Sequence, residues 1–156
     1  MIRTKKRMAW CVAWLIVNLA FIWGNSLLPG ELSGALSNWV GDVLSRLIPG
    51  FEAGMPQEGR GLLRKFAHFS EFALLGMCLR WLFGMLTKAP KLYFLSALCG
   101  VAAAFVDEGI QMFVPDRGPG LLDVGIDSAG VILGITLLSL IRHYRIKQKT
   151  LEEMKQ

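Results

Sequence analysis

Four apolar stretches govern what this chain can become: Met8–Leu28, Leu62–Leu86, Leu92–Val114 and Leu121–Ile141. A membrane-spanning helix needs about 20 mostly apolar residues, and each stretch meets that requirement. A water-soluble globule could not hide them, because 53% of the 156 residues are hydrophobic and only 19% are charged, against about a quarter charged in ordinary soluble domains. Disordered chains are polar and charge-rich, so disorder is excluded as well. The length allows one domain at most. Arg3, Lys5, Lys6 and Arg7 precede the first stretch, as in a secretory signal. The apolar run is too long for a signal core of about 7–15 residues, and no small-x-small cleavage site follows Trp23, so a retained anchor is expected. Cys11, Cys78 and Cys99 lie inside apolar runs. They read as small packing residues and not as a disulfide framework.

Lys and Arg accumulate in cytoplasmic loops, which orients the spans. In a four-span arrangement the N-terminus, Arg80 with the Lys88–Lys91 turn, and the tail from Arg142 to Lys155 share one side and carry 12 of the 17 basic residues. Both termini are therefore expected in the cytoplasm, and this topology accounts for the basic segments without nucleic acid as a partner. The one long connection, Pro29–Gly61, repeats apolar residues at helical spacing from Leu32 to Ile48, with Ser33, Ser37, Asn38, Asp42, Ser45 and Arg46 on the other face. It predicts an amphipathic helix, stopped by Pro49-Gly50, lying along the outer interface or over the mouth of the bundle. The expected fold class is thus an all-α integral membrane protein with four transmembrane helices, both termini cytoplasmic, and one amphipathic interfacial helix in the first outer loop. Trp10, Trp14, Trp23, Trp39 and Trp81 read as interfacial or packing aromatics.

Ionisable residues inside spans seldom face lipid, so each calls for a partner or a function. Arg64, His68 and Glu71 fall on one stripe of span two, with Lys65 beside it; Asp107, Glu108 and Gln111 close span three; Asp123, Asp127, Gly130 and Gly134 form one stripe of span four. The topology puts all of these carboxylates in outer halves, where they can converge. The short connection Pro115–Gly120 places Arg117 above them, and the glycine pair lets a neighbouring backbone approach below. Asp123 also stands where a helix-start residue could cap span four after Gly120.

So many carboxylates beside one histidine must be protonated, paired with Arg64, Lys65 and Arg117, or neutralised by a divalent cation. For a metal, the candidate ligands are His68, Glu71, Asp107 and Asp123. For acid–base chemistry, His68 is the shuttle, with Glu71 or Glu108 as base and Asp107 beside them. For ligand binding, the candidates are Lys65, Gln111, Arg117, Asp123 and Asp127. An ion-paired network that only fixes helix register uses the same residues.

Three ordered motifs, Lys65-x-x-His68-Phe69-x-Glu71-Phe72-x-x-x-Gly76, Asp107-Glu108-x-x-Gln111-x-Phe113-x-Pro115-x-Arg117 and Asp123-x-x-x-Asp127-x-x-Gly130-x-x-x-Gly134, with Asn25-Ser26 and Pro29-Gly30 before them, resemble the VanZ-like family of small bacterial membrane proteins. The resemblance runs from about residue 10 to 140 and implies a single membrane domain over residues 1–156. The family usually carries Asn where Asp127 stands, so a charge is added here. The resemblance also implies a multi-pass protein of the bacterial plasma membrane, with a named member associated with low-level resistance to teicoplanin, a lipoglycopeptide antibiotic.

Two functions of different class follow as expectations. In the first, the chain binds or protects against an amphiphile, either a lipid-linked cell-wall precursor or a lipoglycopeptide. Arg117, Arg64 and Lys65 then take its phosphate or carboxylate, and the Leu32–Ile48 helix supplies apolar contact. In the second, it is a membrane-embedded hydrolase or transferase, with or without a divalent cation, acting on an envelope lipid or glycan. No G-x-S-x-G, H-E-x-x-H or P-loop is present to favour the enzyme. A transporter ranks third, since four short spans without inverted repeats would need to form a homo-oligomer.

Overall fold

A computed structural model describes residues 2–47, 57–86, 91–118 and 120–154. The expected end of the amphipathic helix at Ile48 with Pro49-Gly50, the turn from Lys88 to Pro90, Pro119 and Lys155 lie outside the described residues. Five helices form, in the order α1 (Ile2–Ser26), α2 (Gly30–Leu47), α3 (Gln57–Leu86), α4 (Lys91–Gln111) and α5 (Leu121–Glu153), with no strand among the described residues. Four of them, α1, α3, α4 and α5, are long and apolar enough to cross a membrane. Their outward faces carry large apolar side chains, among them Trp10, Ile16, Phe94, Phe105 and Ile132, each more than half exposed. That surface suits hydrocarbon as its solvent and would be untenable in water. The fourth apolar helix continues past Ile141, so the basic tail is an extension of α5 through Glu153.

The core lies between α3, α4 and α5, where Phe72, Leu75, Ala104 and Val131 are shut off, and Ile22 of α1 joins it. Small residues set the spacing. A Cβ on Gly130 would run into the Phe69 carbonyl, one on Gly134 into the Ala73 carbonyl, and one on Gly76 into the Val131 carbonyl. The expected close backbone approach beneath the carboxylates is therefore between α5 and α3. Such contact is how helices gain van der Waals energy in lipid, where tails offer no hydrophobic drive for association.

α2 is the expected amphipathic helix, and it lies against α3. Its start is fixed by the turn after α4: Gly30 N–H donates to the Pro115 carbonyl at 3.2 Å. Gly30 also sits directly on the backbone of Asp116, an approach that a Cβ would block. Asp116 has a φ of 59°, in the left-handed region that Asp tolerates better than most residues. α5 starts at Gly120 without a side-chain cap. Asp123 therefore does not cap the helix; its carboxylate turns to Lys65 instead, 3.3 Å away.

Candidate functional site

The C-terminal ends of α1 and α4 meet the N-terminal halves of α3 and α5 at one end of the bundle. Helical spacing had put the polar residues of each span on one stripe. Packing now turns those stripes inward, and every sequence-predicted site residue lies in or beside a single cluster.

Asp107 is its centre and is fully buried. Ser26 Oγ donates to Asp107 Oδ1 at 2.7 Å, and Gln111 Nε2 donates to Oδ2 at 2.8 Å from one helical turn away. His68 Nδ1 lies 3.8 Å from the same Oδ2. Glu71, on the next turn of α3, accepts a hydrogen bond from Asn25 Nδ2 at 3.0 Å. Glu108 accepts from the backbone N–H of Gly120 at 2.8 Å, which fastens the end of α4 to the start of α5. Lys65 pairs with Asp123. Arg117 Nη2 donates to the Asn25 carbonyl at 3.2 Å, closing the cluster over the end of α1.

Asn25 and Ser26 are the members that residue-by-residue reasoning left out of the network. The signal was available, since two adjacent polar side chains end a long apolar helix at the level of the carboxylates.

Several polar atoms in this tightly packed region have no hydrogen-bond partner: Glu71 Oε2, Glu108 Oε1, Asp127 Oδ2, and Arg117 Nε and Nη1. Asp127 is only 1% exposed and forms no ion pair among the described residues. A buried polar atom without a partner costs about 1–3 kcal/mol, more when charged, so these atoms are where a ligand would be gained. Burial, reinforced by the nearby Arg64 charge, holds the Arg117 guanidinium below its usual pKa. An arginine nevertheless stays charged at neutral pH.

Two clefts flank the Arg64–His68 edge of α3. One, a narrow crevice, is lined by Arg64, Lys65, His68, Glu108, Asp123 and Asp127, together with Gln111 and Ile126. The other opens towards α1 and α2. It joins the cations Arg64 and Arg117 to apolar Leu28, Leu36 and Ala67, with Asn25, His68 and Glu71 also on its wall.

Among the described residues, one group of donors lies close enough together to hold a metal ion. His68, Asp107 and Asp127 each offer a ligand atom, and the three atoms lie within 4.8 Å of one another. Of the four sequence candidates, His68 and Asp107 belong to this group; outside it, Glu71 accepts from Asn25 through one carboxylate oxygen and Asp123 pairs with Lys65. Asp127 takes the third position. Nitrogen and oxygen donors of this kind suit Mn²⁺, Mg²⁺ or Zn²⁺. His68 faces the Asp107 carboxylate at 3.8 Å, an electrostatic contact longer than a hydrogen bond.

In comparison with known families, the VanZ/LLP1 family model matches residues 11–142. That range holds all of the cluster, from Asn25 to Asp127. No curated protein and no solved structure matches the chain.

Proposed function

The chain belongs to the VanZ/LLP1 family, and on that premise we propose that it is a bacterial envelope protein that binds an amphiphile with an anionic head. The ligand is a lipid-linked wall precursor or a teicoplanin-type lipoglycopeptide, and binding occurs without turnover at the outer face of the plasma membrane. One observation carries this reading. Arg117 has two buried donors, Nε and Nη1, without partners, and it lines with Arg64 a cleft that also carries apolar Leu28, Leu36 and Ala67, polar Asn25, Ser33, Ser37 and His68, and Glu71, one of whose oxygens is held by Asn25. Two neighbouring guanidiniums repel unless an anion lies between them, and the guanidinium fork matches phosphate or carboxylate oxygens. The adjoining apolar wall suits the start of a polyprenyl or acyl chain. α2, pinned at Gly30 to the Pro115 carbonyl, would form the lip under which that chain passes.

The test compares a polyprenyl pyrophosphate with the corresponding polyprenyl alcohol, titrated into the purified protein in neutral detergent. The pyrophosphate binds more tightly, and Arg117→Gln weakens it by about 10- to 100-fold, as expected for loss of charge-assisted hydrogen bonds worth about 1.5–3 kcal/mol. Equal binding of alcohol and pyrophosphate would defeat the proposal. Teicoplanin is titrated in parallel to decide between the two ligand classes.

A second reading, a metal-dependent hydrolase or transferase, is favoured by the convergence of His68, Asp107 and Asp127. A divalent cation held there would polarise a phosphoester or activate a water. Its mark is a rise in melting temperature with Mn²⁺ or Mg²⁺ that Asp127→Asn abolishes.

A further inference from the structure

At the other end of the bundle two arginines converge, and among the described residues no acid pairs with either. Arg80 of α3 is only 8% exposed. Its Nε donates to Ser139 Oγ of α5 at 2.9 Å, and its guanidinium lies over the Tyr93 ring of α4, 4.8 Å from the centroid. These contacts fix the plane of the group and leave Nη1 buried with no hydrogen-bond partner. Arg142 of α5 reaches the same place. A Cβ on Gly84 would meet Nη1 of both Arg142 and Arg80, so the two guanidinium tips meet over the bare backbone of that glycine. Neither arginine is ion-paired among the described residues. The acids on this stretch of chain, Glu152 and Glu153, are roughly three turns beyond Arg142 on α5, and Glu153 is engaged by Lys149 at 3.9 Å.

Two like charges held together, one of them almost wholly desolvated, require an anion for compensation. We propose that Arg80 and Arg142 form a binding site for the phosphate of an anionic phospholipid headgroup. The depth is right for a membrane phosphate. The roughly 21 residues from Leu121 to Arg142 rise about 32 Å, close to the hydrocarbon thickness of about 30 Å. Lys91, Arg145, Lys147 and Lys149 stand exposed on the same end and would draw anionic lipid to it. A basic pocket between spanning helices, with one arginine preset by Ser139 and Tyr93, reads a phosphodiester through charge-assisted hydrogen bonds. The site shares no residue with the carboxylate cluster and does not depend on what that cluster binds.

The experiment uses delipidated full-length protein in neutral detergent, with melting temperature and native mass spectrometry as readouts. Short-chain phosphatidylglycerol should raise the melting temperature and remain bound in the spectrum, and short-chain phosphatidylcholine should do neither. Arg142→Gln should weaken the phosphatidylglycerol response about tenfold or more. Gly84→Ala should weaken it as well, because the new Cβ displaces only the flexible tips of two side chains and leaves the helices in place. Arg145→Gln, which removes an exposed charge from the same end, should retain it. Three results would each overturn the proposal: equal responses to the two lipids, an equal response to inorganic phosphate at the same concentration, or unchanged affinity in both Arg142→Gln and Gly84→Ala.

Discussion

Asp127→Asn tests whether the charge at the heart of the cluster is a burden or a tool. The ligand atoms of Asp107 and Asp127 lie within 4.8 Å of each other. Two ionised carboxylates at that distance repel by about 3.5 kcal/mol at an effective dielectric constant of about 20. The burden has a ceiling, because a carboxyl can escape repulsion by taking up a proton. At pH 7, against an ordinary aspartate pKa of about 3.9, that costs about 4 kcal/mol. Without a bound cation, therefore, Asp127 depresses stability by no more than about 4 kcal/mol. An asparagine keeps the volume, removes the charge, and offers an amide N–H₂ to the unpartnered Oε1 of Glu108 or to Asp107. It should stabilise the protein by about 1–3 kcal/mol, a rise in melting temperature of roughly 2–10 °C for a chain of this size. The measurement is thermal unfolding of wild type and variant in the same detergent, with amphiphile affinity determined alongside. Affinity should be unchanged. A variant that melts lower than wild type, or that stays folded but no longer binds, would refute the reasoning and make Asp127 a ligand in its own right.

Two other perturbations probe packing and sidedness. Gly134→Ala should lower the melting temperature, since the new Cβ strikes the Ala73 backbone and overpacking of this kind costs about 1–3 kcal/mol. Gly125→Ala, where a Cβ meets nothing within 4 Å, should be neutral or stabilising by up to about 1 kcal/mol through helix propensity, and equal losses from both in thermal melts would disprove the contact. Single cysteines placed in Leu32–Leu47 or at Asp116–Gly118, in a chain freed of its own three cysteines, should react with an impermeant thiol reagent added to intact cells. A cysteine at Lys91 or Lys147 should not react, and labelling at Lys91 would reverse the topology.

What the sequence made legible follows from which interactions are local. A span declares itself through some 20 consecutive apolar residues, and a stripe through the fixed turn of the helix. Hence the four crossings, the amphipathic helix and the alignment of His68 with Glu71 and of Asp123 with Asp127 could all be read before the fold was known. Choice of partner is a different kind of information, because it depends on how far each helix is rotated and where it crosses its neighbour. Asp123 could cap its own helix or face Lys65, and the sequence contains both options; the structure selects Lys65. Helical spacing alone cannot rank Glu71 and Asp127 as metal ligands; in the folded chain Asp127 is the one that brings an oxygen within 4.8 Å of the His68 and Asp107 donors. Arg80 and Arg142 illustrate the same limit more sharply. Counted along the chain they are orientation signals like any other basic residue, indistinguishable from Arg145 or Lys147. Only the crossing of α3 and α5, set by Gly76, Gly130 and Gly134 in the middle of the same interface, brings their charged tips together over Gly84. Small residues thus connect the two ends. The contacts that seat the carboxylates above also fix the angle at which two guanidiniums meet below. A change in α3–α5 packing should therefore disturb both sites, whereas Arg142→Gln should leave the carboxylate cluster intact.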